Sequence, residues 1–183
     1  MGDTPAIQPS RRLTWANALS LARLVAAPLC AWAVATAQHP AALALFAFAV
    51  ASDFADGPLA RRRGESSAFG GLLDHLSDAT FVTLGLAACS LRGLVPAPLP
   101  ILVALAFAQY ALDSRSLSGR PLRASFLGRW NGIAYFVLLG IPVVRDGLGL
   151  GWPADAFVLA AGWALLTSTL LSMLDRAWAL LRA

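Results

Sequence analysis

The sequence has no lysine and one glutamate, Glu65, and only 13% of its 183 residues are charged. So little charge cannot cover a soluble surface, and a 58% hydrophobic content places the chain among membrane proteins. Cysteine is almost absent too. Cys30 and Cys89 both lie inside apolar segments, which argues against a disulfide framework or a thiolate metal site and leaves two small buried residues. All 14 basic residues are arginine, against 10 acidic ones. They gather at the ends of apolar segments rather than along one face, so the net charge of +4 does not signal a nucleic-acid partner. Arginine without lysine, with abundant alanine, points to a GC-rich bacterial source. No internal repeat is present, and the length admits one domain of several spanning helices.

Residues 1–10 read as a disordered tail and residues 11–183 as a single transmembrane domain. Leu13 to Arg23 reads as an interfacial or cytoplasmic helix stretch, with Leu24 to Ala37 the deeper part of the first span. Arg11-Arg12 ahead of Ala35-Thr36-Ala37 would also fit a twin-arginine signal. Asn17 and Arg23 interrupt that apolar region, however, and the rest of the chain is itself polytopic. His39-Pro40 reads as a tight turn. The remaining spans are expected at Ala41 to Arg61, kinked by Pro58, then Ala68 to Leu91 and Leu99 to Leu112. A short fifth span, Trp130 to Val144, is broken by Gly140 and Pro142. Ala156 to Leu174 follows, with an amphipathic end from Asp175.

The expected fold class is therefore an all-α integral membrane bundle of about six helices. Arg11, Arg12, Arg61, Arg62, Arg63, Arg115, Arg120, Arg123, Arg129, Arg176 and Arg182 fall on one side of it, and only Arg92 and Arg145 on the other. That asymmetry makes both termini cytoplasmic. Trp15, Trp130 and Trp178 belong near that interface and Trp152 near the opposite one, while Trp32 and Trp163 read as packing residues.

Against this apolar background, four aspartates fall within 26 positions, Asp53, Asp56, Asp74 and Asp78, with Glu65 between the two pairs. Charge this close to a bilayer is costly and calls for a function. Asp53 and Asp56 are three apart and Asp74 and Asp78 four apart, so each pair shares a helix face. Two such helices facing each other bring four carboxylates to one point. Their mutual repulsion calls for cations between them. Oxygen-only ligation suits Mg2+, with Mn2+ or Ca2+ as alternatives. Asp78 lies about 16 Å along the helix from Ser67, farther than the headgroup zone is thick, so either the helix projects into the cytoplasm or Asp78 sits in a water-filled cavity open to it.

The run Asp53-x2-Asp56-Gly57-x2-Ala60-Arg61-x8-Gly70-x3-Asp74-x3-Asp78 resembles the signature of the CDP-alcohol phosphotransferase family (CDP-alcohol phosphatidyltransferases), with no position missing. The resemblance implies an integral membrane enzyme of phospholipid biosynthesis. Such an enzyme transfers a phosphatidyl group from CDP-diacylglycerol to an alcohol and releases CMP, commonly as a homodimer in the bacterial inner membrane, its site facing the cytoplasm. It further implies that Asp53, Asp56, Gly57, Ala60, Arg61, Gly70 and Asp74 bind the CDP group, and that Asp53, Asp56, Asp74 and Asp78 hold metal. Asp78 would also take the proton from the acceptor hydroxyl. Asn17, Ser20, Arg23 and Pro28 resemble the family's first-helix pattern, in which Asn and Arg face the site; the alternative for Arg23 is snorkelling to the headgroups. Gly57, Ala60 and Gly70 can form a slot for cytosine or simply let helices pack closely. Arg61 can bind a phosphate or lock the carboxylates.

Arg115, Arg120, Arg123 and Arg129 suit a phosphorylated acceptor, glycerol 3-phosphate first and inositol phosphate or another polar alcohol second. The positive-inside bias accounts for part of that cluster. His75 is turned about 100° from Asp74 and is expected to point at a neighbouring helix. A small membrane cation transporter is the rival of another class. It would place carboxylates near the midplane rather than at an arginine-rich helix end.

Overall fold

The computed structural model describes residues 14–63, 68–116 and 126–181, without the side chains of residues 16, 56–63, 68–69, 112–116, 126 and 179–181. All regular structure among them is helical: α1 (Trp15–Ala35), α2 (His39–Arg63), α3 (Ala68–Leu91), α4 (Leu99–Ser116), α5 (Phe126–Gly147) and α6 (Asp155–Leu181). The six helices close a ring. Its order is α1, α3, α4, α6, α5, α2 and back to α1, with a further α3–α5 contact crossing it.

Local chemistry fixes the helix ends. The Thr14 hydroxyl caps α1 by accepting from the Asn17 amide at 3.1 Å. Three C-termini close in one manner, with an amide reaching back five residues to a carbonyl: Gln38 to Ala33, Leu94 to Cys89 and Leu150 to Arg145. The residue before each donor has positive φ. Gly93 and Gly149 adopt it freely, whereas Ala37 does so at φ 55°.

The outside of the ring is apolar. Val25, Leu29, Ile101, Ile133, Val137, Leu171 and Leu174 are all exposed, while Asn17, Ser20, Arg23, Ser52, Ser77, Asn131, Thr169 and Ser172 are buried. Polar residues inside and apolar residues outside are the arrangement a lipid solvent demands. Three helical segments, Asn17–Ala35, Leu127–Gly147 and Asp155–Trp178, are long and apolar enough to cross a membrane, and His39–Ala55 and Leu99–Ala111 are shorter apolar segments. The protein is thus an all-helical integral membrane protein.

Several boundaries differ from expectation. α1 is one unbroken helix, so the shallower and deeper parts read from the sequence are continuous. The turn before α2 comprises residues 36–38, and His39 already begins the helix. α5 is longer than expected and runs through Gly140 and Pro142 without a break, because Pro142 removes a single amide while the other backbone groups find partners in apolar surroundings only within the helix. α6 runs from Asp155 to Leu181, so the end from Asp175 continues the same helix. Trp32 and Trp163 face outward, 61% and 53% exposed, because each sits on the lipid side of its helix. The tail, Pro58's side chain, Arg11 and Arg12 lie outside the described residues.

The core beneath the polar end is aromatic and aliphatic. Phe81 of α3 stacks on Phe136 of α5 (centroids 6.4 Å, planes 7° apart) and meets Phe46 of α2 at 6.4 Å. This cluster lies one turn along α3 from Asp78 and ties together the helices that carry the carboxylates.

Candidate active site

Three helices deliver one charged centre. α2 brings Ser52 and Asp53, α3 brings Asp74 and Asp78 on successive turns, and α1 brings Ser20 and Arg23. One carboxylate oxygen from each of Asp53, Asp74 and Asp78 lies within 4.8 Å of the others. Between them sits Arg23, fully buried. Its Nη1 donates to Asp74 Oδ1 at 2.9 Å, contacts Asp78 Oδ1 closely and stands 3.5 Å from Asp53 Oδ1. Its Nε donates to Ser52 Oγ at 3.2 Å, and that hydroxyl donates to the Ala49 carbonyl at 2.9 Å. The Ser20 hydroxyl is 3.5 Å from Asp74 Oδ1.

The expected convergence of α2 and α3 is therefore present for three of the four aspartates. Asp56, Gly57, Ala60 and Arg61 ride on the last turns of α2, and their side chains lie outside those described. Gly70 lies one turn before Asp74 on α3. Arg23 faces the carboxylates and does not snorkel, because three carboxylates within 3.5 Å of its Nη1 neutralise it inside the bundle. Asn17 is buried in the first turn of α1.

The donor set fits a hard divalent cation. It consists of oxygens alone, closely spaced, and a positively charged guanidinium already occupies the same space. Asp53, Asp74 and Asp78 are the described residues that would hold such an ion.

Two cavities meet at this centre. One, about 410 Å³, is bounded by α3, α4, α5 and α6 and lined by Asp53, Asp78, His75, Gln109, Asn131, Arg129 and Arg176 among others. The second, about 960 Å³, is an apolar groove between α2 and α5. It is lined by Phe46, Val50, Phe54, Ile133, Phe136 and Val137, and reaches from Asp53 to Arg145, Trp152 and Pro153. Asp53 belongs to both.

Of the four acceptor candidates, only Arg129 has a described side chain, and it lines the polar cavity while largely exposed. Arg115's side chain is not described, and Arg120 and Arg123 lie outside the described residues. Sequence reasoning missed Arg176, which lies over the Tyr110 ring at 5.4 Å. Gly128 makes room for it: a Cβ there would come within 2.5 Å of Arg176 Nη2. Gln109 and Asn131 were missed as well, although uncharged polar residues inside apolar helices are themselves a signal. His75 does face a neighbouring helix, packing against Phe107 at 5.1 Å and Tyr110 at 4.8 Å.

A second charged cluster closes the opposite end. Asp146 pairs with Arg145 at 2.7 Å and Arg92 at 3.0 Å, with His39 at 3.8 Å, and Arg145 also reaches Asp155 at 2.6 Å. It joins α2, α3, α5 and α6 and lies apart from the carboxylate centre.

Fold and site together define a helical membrane protein with a cluster of carboxylates around a buried arginine at one end, set where a polar cavity meets an apolar groove. Comparison with known proteins gives this class a family. The CDP-alcohol phosphatidyltransferase family profile matches residues 13–174, and the chain belongs to that family of phospholipid-synthesising transferases. A cardiolipin synthase (CMP-forming) of Streptomyces coelicolor is 32% identical across 86% of this chain and 76% of its own length. A CDP-diacylglycerol–glycerol-3-phosphate 3-phosphatidyltransferase of Cereibacter sphaeroides is 30% identical across 81% of this chain and 75% of its own. A putative cardiolipin synthase of Mycobacterium tuberculosis is 31% identical across 88% and 78%. No solved structure matches the chain.

Proposed function

We propose that the protein transfers the phosphatidyl group of CDP-diacylglycerol to a glycerol-phosphate acceptor, glycerol 3-phosphate in the first instance, and releases CMP. The observation that carries this reading is the position of Asp53 on the shared wall of the polar cavity and the apolar groove. A lipid-linked nucleotide needs both environments, one for acyl chains and one for an alcohol, with the pyrophosphate at their junction.

Asp78 lines the polar cavity, so it is placed to take the proton from the acceptor hydroxyl. The freed oxygen attacks the phosphorus nearer the diacylglycerol, a new P–O bond forms, and the bond to the CMP oxygen breaks. Asp53, Asp74 and Asp78, with Asp56 as a fourth ligand, hold the divalent ion, Mg2+ by preference. When bound, the ion offsets the charge of the pyrophosphate and of the leaving CMP. Asp56, Gly57, Ala60, Arg61 and Gly70 contact the CDP group, Arg61 pairing with a phosphate. The arginine asymmetry supports a cytoplasmic location for this end and both termini, and family membership supports a homodimer in a bacterial inner membrane.

A lipid acceptor is the second reading, favoured by the relatives named cardiolipin synthase. A phosphatidyl group placed on the free glycerol of phosphatidylglycerol gives cardiolipin. Purified protein incubated with CDP-diacylglycerol, Mg2+ and a panel of alcohols, inositol phosphate included, tests the assignment through the lipid formed. Release of CMP only with an unphosphorylated alcohol would overturn it. Crosslinking in native membranes tests the dimer, and labelling of cysteines introduced at either end tests the orientation.

A further inference from the structure

Three side chains on three helices each leave one buried polar atom without a hydrogen-bond partner among the described residues: His75 Nε2 of α3, Gln109 Oε1 of α4 and Asn131 Nδ2 of α5. All three residues line the one polar cavity that reaches Asp53 and Asp78. A buried polar atom left unpaired costs about 1–3 kcal/mol, and three such costs around one cavity are explained if a ligand supplies the partners. Asn131 is only 5% exposed, and its Oδ1 is already engaged by the Ser168 hydroxyl at 2.7 Å, so its free hydrogens belong to the amide nitrogen. Gln109 is held in the complementary sense: its Nε2 donates to the Met173 carbonyl at 3.4 Å, which leaves the oxygen. The cavity therefore offers one fixed donor and one fixed acceptor, with an imidazole nitrogen between aromatic rings as a third group.

We infer that this trio reads the vicinal diol of a glycerol-phosphate acceptor, with Arg176 receiving the phosphate. A hydroxyl both donates and accepts, so a polyol satisfies Gln109 and Asn131 together. Choline- and ethanolamine-type alcohols offer one hydroxyl, already the reacting group, and an ammonium that cannot accept from Asn131. Arg176 lines the same cavity, as Arg129 does, and is held over Tyr110 and against the bare backbone of Gly128. The inference rests on the function proposed above and specifies how the acceptor is recognised. The same glycerol phosphate occurs free or as the headgroup of phosphatidylglycerol, and both present this chemistry.

The test uses the intact protein in nanodiscs with CDP-diacylglycerol and Mg2+. CMP release is measured with glycerol 3-phosphate, with its analogue lacking the secondary hydroxyl (3-hydroxypropyl phosphate), with phosphatidylglycerol and with inositol phosphate. Wild-type protein is expected to disfavour the deoxy analogue by roughly ten- to hundredfold in kcat/KM. Asn131→Leu and Gln109→Met should raise the acceptor KM by a similar factor, leave the KM for CDP-diacylglycerol near normal, and abolish discrimination against the analogue. Preference for glycerol 3-phosphate over phosphatidylglycerol, or the reverse, identifies the source of the headgroup and supports the inference either way. Equal use of the deoxy analogue by wild-type protein overturns it, and that arm requires no variant to fold. So does full discrimination retained by the variants, or turnover with inositol phosphate alone. CMP release with none of the four acceptors would instead remove the proposed function itself.

Discussion

Arg23 and Asp74, 51 residues apart in sequence, meet through a 2.9 Å hydrogen bond from Nη1 to Oδ1 at a point closed to solvent on the arginine side. The guanidinium thus neutralises, from α1, a carboxylate group assembled by α2 and α3. It also stands where a divalent ion would compete for the same oxygens.

Removing that guanidinium should be costly. Arg23→Met leaves three carboxylates facing one another; because Asp53 and Asp74 are 45% and 38% exposed, water screens them and the loss should stay below the roughly 3–5 kcal/mol of a fully buried pair. Because metal can replace the lost charge, Mg2+ or Mn2+ should raise the thermal unfolding temperature of Arg23→Met more than that of the unmodified protein. Equal shifts in the two proteins would show that Arg23 and the metal do not share the site.

Metal dependence should follow the carboxylates one by one. Asp53→Asn, Asp56→Asn and Asp74→Asn should each abolish CMP release, and excess EDTA should do the same to the unmodified protein. Full turnover in chelator would sink the metal assignment.

Asp78→Asn separates base from ligand. Asn keeps the shape but cannot accept a proton. If Asp78 acts chiefly as the base, turnover should fall about 10²–10⁴-fold while CDP-diacylglycerol and metal affinities stay near normal. Recovery of the rate at high Mg2+ would assign it to the ligands alone.

The acceptor arginines can be sorted by KM. Arg176→Ala should raise the KM for a phosphorylated acceptor by roughly ten- to hundredfold, the loss of a charge-assisted contact, with little change for CDP-diacylglycerol. Gly128→Ala should do so more weakly, since its Cβ would push against the far end of a long side chain. Arg115→Ala, Arg120→Ala, Arg123→Ala and Arg129→Ala test the loop in the same assay; normal KM in all four would leave those residues a purely topological role.

The far cluster should matter for stability and not for chemistry. Asp146→Asn leaves Arg92 and Arg145 with a neutral partner and should lower stability by about 2–3 kcal/mol. The KM values should not change. A selective loss of turnover at unchanged thermal stability would contradict the structural role.

The sequence by itself determined the composition-level class, the six helices and the pairing of Asp53 with α2 and of Asp74 and Asp78 with one face of α3. Each of these follows from hydropathy and helical period, which act within a segment. The motif was legible for the same reason: its positions lie within 26 residues. Only the tertiary structure decided that Arg23 fills the centre of the carboxylates, that Arg176 lies in the cavity against Gly128, and that Asp146 gathers Arg92, Arg145 and His39. These contacts depend on how far each helix is rotated and slid against its neighbours. Periodicity names the face of a helix but not the helix it meets, because ring order and axial register are set by packing between segments far apart in the chain. Gln109 and Asn131 show the same limit. Their polarity inside apolar helices was visible, but only packing could show that each has one end tied and the other open to a single cavity.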